Sequence, residues 1–490
     1  MNKNTIIGFV LIGFIMFGFS WMQSKQQREQ MAYQAQLDSI AMVEQMAAMA
    51  LDSAKRAEGL MTGEMSGVKV MNMPAYKDSL LTEARLAEAQ IVKIGNDKVE
   101  LEFTTRGAQP YSVKINDYMT YDSAALYLIK PDMSQYNISI YAGESINTKD
   151  FAFNIHEVTD SAVVMRLPFA QGGYIEQKYW LPEGSYMLQN ELSFVGMDEV
   201  IPRNVSMFDI DWSFVIPRLE KGYKNEKQYS KLDYYFSGED DVEEIAEGTD
   251  EHERVSSRLK WFAFQQQFFS AIVTPAKEFD GADFTVNYYS DKEYEEFGNL
   301  MVCKAKMYSS FPTKSENVVA ACDFYIGPND YKTLKSYDRH YEDIIPLGSW
   351  IVSWFSKWVI IPVFDFLGKF ISNYGIIILL MTILIKLLLT PLTLKSYKST
   401  AKMQVLKPEM DKLNEKYPKP EDAMKKQQAM MNLYQKAGVS PMGGCLPMLL
   451  QMPILFAMFR FFPASIELRQ QSFLWADDLS AYDSIIDFGV

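Results

Sequence analysis

The chain has 490 residues, 48% of them hydrophobic, and a formal net charge of −14 at pH 7. That length exceeds one ordinary globular domain, so two or more units are expected, and the acidic balance argues against general binding of DNA or RNA, whose phosphates it would repel. Three cysteines (Cys303, Cys322, Cys445) and three scattered histidines (His156, His252, His340) are too few and wrongly spaced for a disulfide scaffold or a metal site, so no cofactor and no metal are expected.

In chain order, Thr5–Met22 is apolar and uncharged, just long enough to cross the hydrocarbon core. A cleaved signal peptide is the alternative, but no A-x-A-like site follows, which favours an uncleaved signal anchor over residues 1–22. Residues 23–75, rich in Gln, Met, Ala and Ser, read as a partly helical tether. The texture then changes over 76–340. Runs such as Val99–Phe103, Tyr174–Trp180 and Asp283–Tyr289 alternate polar with β-branched or aromatic residues between turn signals, which indicates a large antiparallel β-sandwich. Within it, the acidic stretch Gly238–Glu253 reads as a solvated loop. Cys303 and Cys322 flank Phe311–Lys314, and in a hairpin centred there they would lie opposite each other, either as a disulfide or as two buried thiols.

Residues 348–368 carry Trp350, Trp354 and Trp358 at four-residue spacing, one face of a helix. Tryptophan beside a membrane span suits the interface, so this is read as an interfacial amphipathic helix, packing on the β-domain or a neighbouring helix being the alternative. A transmembrane helix is expected over 371–394, its apolar run Tyr374–Leu394 interrupted by Lys386. Residues 395–440 divide at Tyr417–Pro420. Met403, Leu406, Met410, Leu413 and Tyr417 on one side, and Met424, Met431 and Tyr434 on the other, make two apolar stripes that predict a helical hairpin. Lys395–Gly444 holds ten lysines against five acidic residues, net +5, so the positive-inside rule places the hairpin in the cytoplasm, the N-terminus with it, and residues 23 to about 372 in the periplasm. The lysines serve either as this topogenic signal alone or to attract ribosomal RNA or anionic lipid. A further transmembrane helix over 445–463, whose apolar run Cys445–Phe462 contains Gln451, two prolines and Arg460, is expected, and 464–490 forms a periplasmic segment.

Lys386 is the most informative residue. A lysine at the middle of a lipid-embedded helix costs at least about 2.5–3.5 kcal/mol, so it normally faces protein or a water-filled recess. Thr382 and Thr390 lie one turn to either side on the same face. Leu394, at the cytoplasmic end, is about 12 Å away, a long reach for snorkelling, and a polar recess open to the cytoplasm explains the stripe better. Three uses are open: transport, a Ser-Lys hydrolase with a desolvated lysine base, and a transient site for hydrophilic segments crossing the bilayer.

The strings ILIKLLLTPLTLKSYKSTAKMQ (383–404), SPMGGCLPMLLQMPILFAMF (440–459) and ELRQQSFLWADDLSAYD (467–483) closely resemble the YidC-type insertases, the bacterial branch of the mitochondrial oxidase-assembly insertase family. WFAFQQQFFSAIVTP (261–275) and YIGPNDYKTLKSYD (325–338) resemble the periplasmic domain of its Gram-negative members. The resemblance implies a large periplasmic β-sandwich joined to an α-helical transmembrane bundle with a cytoplasmic hairpin. It implies a hydrophilic groove whose central positive residue maps onto Lys386 and whose threonine maps onto Thr382, with no catalytic residues and no covalent chemistry. Clients would be nascent membrane proteins, inserted into the inner membrane alone or with the Sec translocon. The groove residue is more often Arg in Gram-negative relatives, and Lys keeps the charge without the forked donor geometry. The family also has three helices beyond the last span seen here, so the bundle is expected to be incomplete and the chain a fragment. A membrane-anchored Ser-Lys hydrolase and a Sec-associated periplasmic chaperone module are the alternative functions.

Overall fold

A computed structural model describes residues 76–238, 241–245, 249–311, 317–418, 422–438 and 446–482. The expected anchor (1–22), the tether (23–75), Cys445 and residues 483–490 lie outside the described residues.

Three antiparallel sheets form the β-domain. Ile91–Gly95, Val99–Thr104, Gln109–Met119 and Ala125–Ile129 make a four-stranded meander. The nine-stranded sheet runs Glu243–Ile245, Lys231–Phe236, Leu259–Gln265, Phe269–Pro275, Val318–Pro328, Met187–Val195, Tyr174–Trp180, Ala162–Pro168, Asn154–Val158. Opposite it lies a six-stranded sheet in the order Glu251–Val255, Gly281–Tyr288, Asn299–Ser310, Met207–Pro217, Ser134–Tyr141, Ser145–Asn147. Alternation explains the sandwich. Met207–Pro217 sends Phe208, Ile210, Trp212, Phe214 and Ile216 inward, while Asp209, Asp211 and Ser213 stay partly exposed. Trp212 meets Phe264 and Phe324 of the facing sheet edge-on, each at 5.4 Å between ring centroids.

Two sequence expectations are corrected. Cys303 and Cys322 are buried free thiols that do not face each other in a hairpin, because Asn299–Ser310 and Val318–Pro328 belong to different sheets. Each of these long strands is paired on both sides within its own sheet, so the chain crosses the sandwich between them. The acidic stretch 238–253 is not simply a loop either, since Glu243–Ile245 and Glu251–Val255 are edge strands of the two large sheets. An edge strand has a solvated flank, where charged side chains are tolerated and discourage intermolecular pairing.

The nine-stranded sheet is covered on both faces. Leu232, Phe262 and Phe264 point into the sandwich, whereas Tyr235, Trp261 and Ala263 point away from it into a second core. That second core contains Tyr341, Ile344 and Leu347 of the linker that follows the last strand, together with Ile360, Phe364, Ile377, Met381, Ala457 and Phe461 from three helical segments. Trp261 Nε1 donates to the Arg339 carbonyl at 2.8 Å and Gln265 Nε2 to that of Ile344 at 3.1 Å. Burial on both faces is why Leu259–Gln265 (LKWFAFQ) reads as nearly continuous apolar sequence.

The helices follow in order. Trp350–Phe355 continues through a π turn, Ser356–Ile360, into Ile361–Gly368. Pro362 has no N–H to give and its ring crowds the carbonyl four residues back, which the wider turn relieves. The long helix Tyr374–Val405 starts at Asn373, whose side chain accepts the Ile376 N–H at 3.1 Å. It runs past the expected end at Leu394, because no breaker follows until Pro408, so Met403 belongs to it and not to the hairpin. Lys407–Lys416 and Ala423–Lys436 form the hairpin, with the Tyr434 hydroxyl 3.6 Å from Met410 sulfur. On the second helix Met430, Leu433 and the expected seam residues Met431 and Tyr434 are half-buried, and the expected seam residue Met424 is exposed.

Leu446–Ala464 ends against the β-domain, where Gln267 Nε2 donates to the Pro463 carbonyl at 3.0 Å. The segment beyond folds back: Arg469 Nε donates to Glu220 Oε1 at 2.7 Å with both side chains largely buried, and Phe473 covers Gly375 at the start of the long helix. A Cβ on Gly375 would collide with the Phe473 ring. Gly375→Ala is therefore expected to lower stability by about 1–3 kcal/mol through overpacking, measured by unfolding in detergent.

Beside the Glu220–Arg469 pair, Glu226 is fully buried and accepts the backbone N–H groups of Leu219 and Glu220. Burial, and then the neighbouring Glu220 carboxylate, push its pKa up to about 8. Folding thus binds a proton that the unfolded chain releases near its ordinary carboxylate pKa, and this contribution to stability is lost as pH rises toward 8. Glu226→Gln is expected to reduce the fall in melting temperature between pH 5.5 and pH 8, and an unchanged slope contradicts the assignment.

Candidate functional site

Thr382, Lys386 and Thr390 all lie on the long helix and all are exposed in the described chain. The packed side of the same helix is marked by Ile377, Met381 and Leu389, all buried. Each polar residue follows a packed position, 381, 385 or 389, by one residue. At about 100° per residue the stripe therefore flanks the packed face and does not oppose it. Between 376 and 390 the remaining exposed positions, Ile376, Leu379, Ile383, Leu384, Leu387 and Leu388, are apolar. A polar ridge thus runs along the margin between the helix contact and a wholly hydrocarbon face.

The local bonding decides what this ridge offers. The Thr382 hydroxyl donates to the Ile378 carbonyl at 2.9 Å and the Thr390 hydroxyl to the Lys386 carbonyl at 2.7 Å. Their protons are committed to the helix, and their outward lone pairs accept. Lys386, with three N–H groups, only donates. The ridge therefore presents acceptor, cationic donor, acceptor, a pattern that matches peptide N–H groups and carbonyl or carboxylate oxygens. It offers no acid–base pair.

The tryptophan helix is fixed by charges at two points. Lys357 Nζ lies 2.7 Å from Asp343 of the linker, and Lys332, near the start of the same linker, lies 2.8 Å from Asp365. Residues 357 and 365 are about 12 Å apart along the axis, so the two pairs tie the helix near both its middle and its end. By length and composition alone Trp350–Gly368 and Tyr374–Val405 are each able to cross a membrane. The two ion pairs join the first of these to residues 332 and 343 of the segment that follows the last strand. Trp350, Trp354 and Trp358 are 82%, 53% and 71% exposed, together on the face away from the second core.

The sequence pattern located the ridge and the tryptophan stripe. It missed Asp343 and Asp365 as anchors and the Glu220–Arg469 pair, which joins residues 249 positions apart and leaves no local signal. Among the described residues no group of three or more His, Cys, Asp or Glu is arranged to hold a metal.

Two family models match the chain: the YidC periplasmic domain over residues 91–361 and the 60Kd inner membrane protein over residues 366–490. Its curated relatives include the membrane protein insertase YidC of Bacteroides fragilis, 39% identical over all of this chain and 78% of the relative. Proteins of the same name from Parabacteroides distasonis and Porphyromonas gingivalis are 36% and 35% identical, again over all of this chain and 78% of their own length. A putative aldose 1-epimerase from Escherichia coli aligns in structure over 49% of this chain and 99% of its own, at 8% identity and a TM-score of 0.30, a likeness that carries no argument.

Proposed function

Because this chain belongs to the YidC family of membrane protein insertases, whose members act in the inner membrane and carry a periplasmic domain, we propose that Thr382, Lys386 and Thr390 are where it receives the hydrophilic segments of its clients. The observation that carries this is the ridge itself: a cation between two acceptors on a helix whose other exposed positions between 376 and 390 are apolar. A charge beside hydrocarbon draws water and thins the apolar barrier locally, and an ammonium attracts acidic residues of a passing segment. Each step lowers the cost of moving polar backbone through lipid without making or breaking a covalent bond. The chain acts as an insertase and chaperone, not as an enzyme. The hydrolase alternative lacks a nucleophile on the ridge, where the two hydroxyls are threonines bonded to their own helix.

In this reading the protein crosses the membrane several times, with its N-terminus and the lysine-rich hairpin in the cytoplasm and the β-domain in the periplasm. The tryptophan helix lies in the interface, supported by its exposed indoles and its two ion pairs. The exposed lysines of the hairpin attract the ribosome, and the Sec translocon shares clients with the ridge. Lys386→Arg is expected to sustain growth of a strain depleted of its own insertase, and Lys386→Met to lose it. Normal growth with Met overturns the role of the charge.

A further inference from the structure

A cleft of about 1420 Å³ opens where the β-domain, the tryptophan helix and the end of Leu446–Ala464 meet. Two of its lysines are neutralised within the protein, Lys231 by Glu244 at 2.6 Å and Lys357 by Asp343 at 2.7 Å. Other groups are not, among them Lys335 and Asp241, which have no ion-pair partner among the described residues. Arg460 has no ion-pair partner among the described residues, and Glu342 Oε2 is buried without a hydrogen-bond partner. The cleft therefore carries unmatched charge of both signs, and a zwitterion would complement Arg460 together with Glu342.

Its rim has a different character. Trp350 is 82% exposed and Phe459 71% exposed, and both line the opening. Arg460 stands one turn before the helix end at Ala464, about 6 Å along the axis, which is head-group depth if the helix emerges there. Its Cγ is 3.5 Å from where a Cβ on Gly348 would sit, so the arginine stem lies beside Gly348 at the cleft wall. Charged walls below an apolar lip at this depth suit the head of an amphiphile better than a soluble ligand.

We propose that this cleft binds the phosphoethanolamine head group of a membrane phospholipid, the phosphate on Arg460 and the ammonium on Glu342. Guanidinium donors match phosphate oxygens, and the buried carboxylate oxygen requires a donor. A primary ammonium supplies three N–H groups, whereas a quaternary choline supplies none, so the site discriminates between the two commonest zwitterionic head groups. A bound lipid would fill the gap between the β-domain and the helices that the two ion pairs hold in place.

The inference rests on the interfacial placement of the tryptophan helix proposed above. That placement is read separately, from quenching of tryptophan fluorescence by brominated lipids. The cleft itself is tested by native mass spectrometry of the full chain released from nanodiscs of equal phosphatidylethanolamine and phosphatidylcholine. One phosphatidylethanolamine is expected to be retained with about fivefold or greater preference. Arg460→Gln and Glu342→Gln should each reduce that preference to about twofold or less. Ser353→Phe, which fills the cleft from the tryptophan helix without altering a charge, should abolish retention, and Glu183→Gln, distant from the cleft, should leave it unchanged. Equal retention of both lipids, a preference untouched by all three cleft variants, displacement by soluble phosphoethanolamine at lipid-equivalent concentration, or recovery of a client polypeptide in place of lipid would each overturn the proposal.

Discussion

The outer face of the nine-stranded sheet is apolar and cannot be left in water. Tyr235, Trp261, Ala263 and Tyr325 point away from the sandwich, and the linker and helices that cover them form one continuous core with the β-domain. This single burial requirement sets the position of everything downstream. It lays the 331–347 linker against the sheet, seats the tryptophan helix beneath it through Ile360 and Phe364, and brings Ile377 and Met381 of the long helix into the same contact. Once those two side chains are inside, the azimuth of the long helix is determined, and Lys386 is placed with it. The β-domain thus acts on the ridge through packing, as a rigid base and not as a partner in any chemistry.

The cost of Lys386 explains its surroundings. An ammonium in hydrocarbon is opposed by several kcal/mol, and a helix accommodates it where water or a polar neighbour can reach. The ridge meets that condition by lying at the margin of the helix contact, where a crevice can hydrate, and by flanking the charge with hydroxyl lone pairs. Threonine is suited to this position because its proton is absorbed by the helix carbonyl and its acceptor side remains free. A serine would do the same with less apolar cover, and a leucine would remove the acceptors.

Much of this was legible in the sequence because membrane helices and strands write their faces as short periods. The alternation in Met207–Pro217, the four-residue spacing of Trp350, Trp354 and Trp358, and the stripe of Thr382, Lys386 and Thr390 are all local patterns. Long-range pairing was not legible. Cys303 and Cys322 looked like hairpin partners because a sequence cannot show which sheet a strand joins. The acidic stretch around Glu243 and Glu251 looked like loop because edge strands lack the apolar alternation that marks central ones. The end of the long helix was set too early, at the edge of hydrocarbon, since hydrophobicity stops at Leu394 while helical propensity continues to Val405. The ion pairs that hold the tryptophan helix, and the Glu220–Arg469 contact, depend wholly on tertiary structure.

The most direct test of the account is a scan of photo-crosslinking side chains along residues 379–390 of the long helix, read against a membrane protein stalled during insertion. Adducts to the client's hydrophilic segment are expected at 382, 386 and 390 and to be weak or absent at 383, 384, 387 and 388. Crosslinking that is uniform around the helix, or strongest on the leucine face, would contradict the placement of the client at the polar ridge.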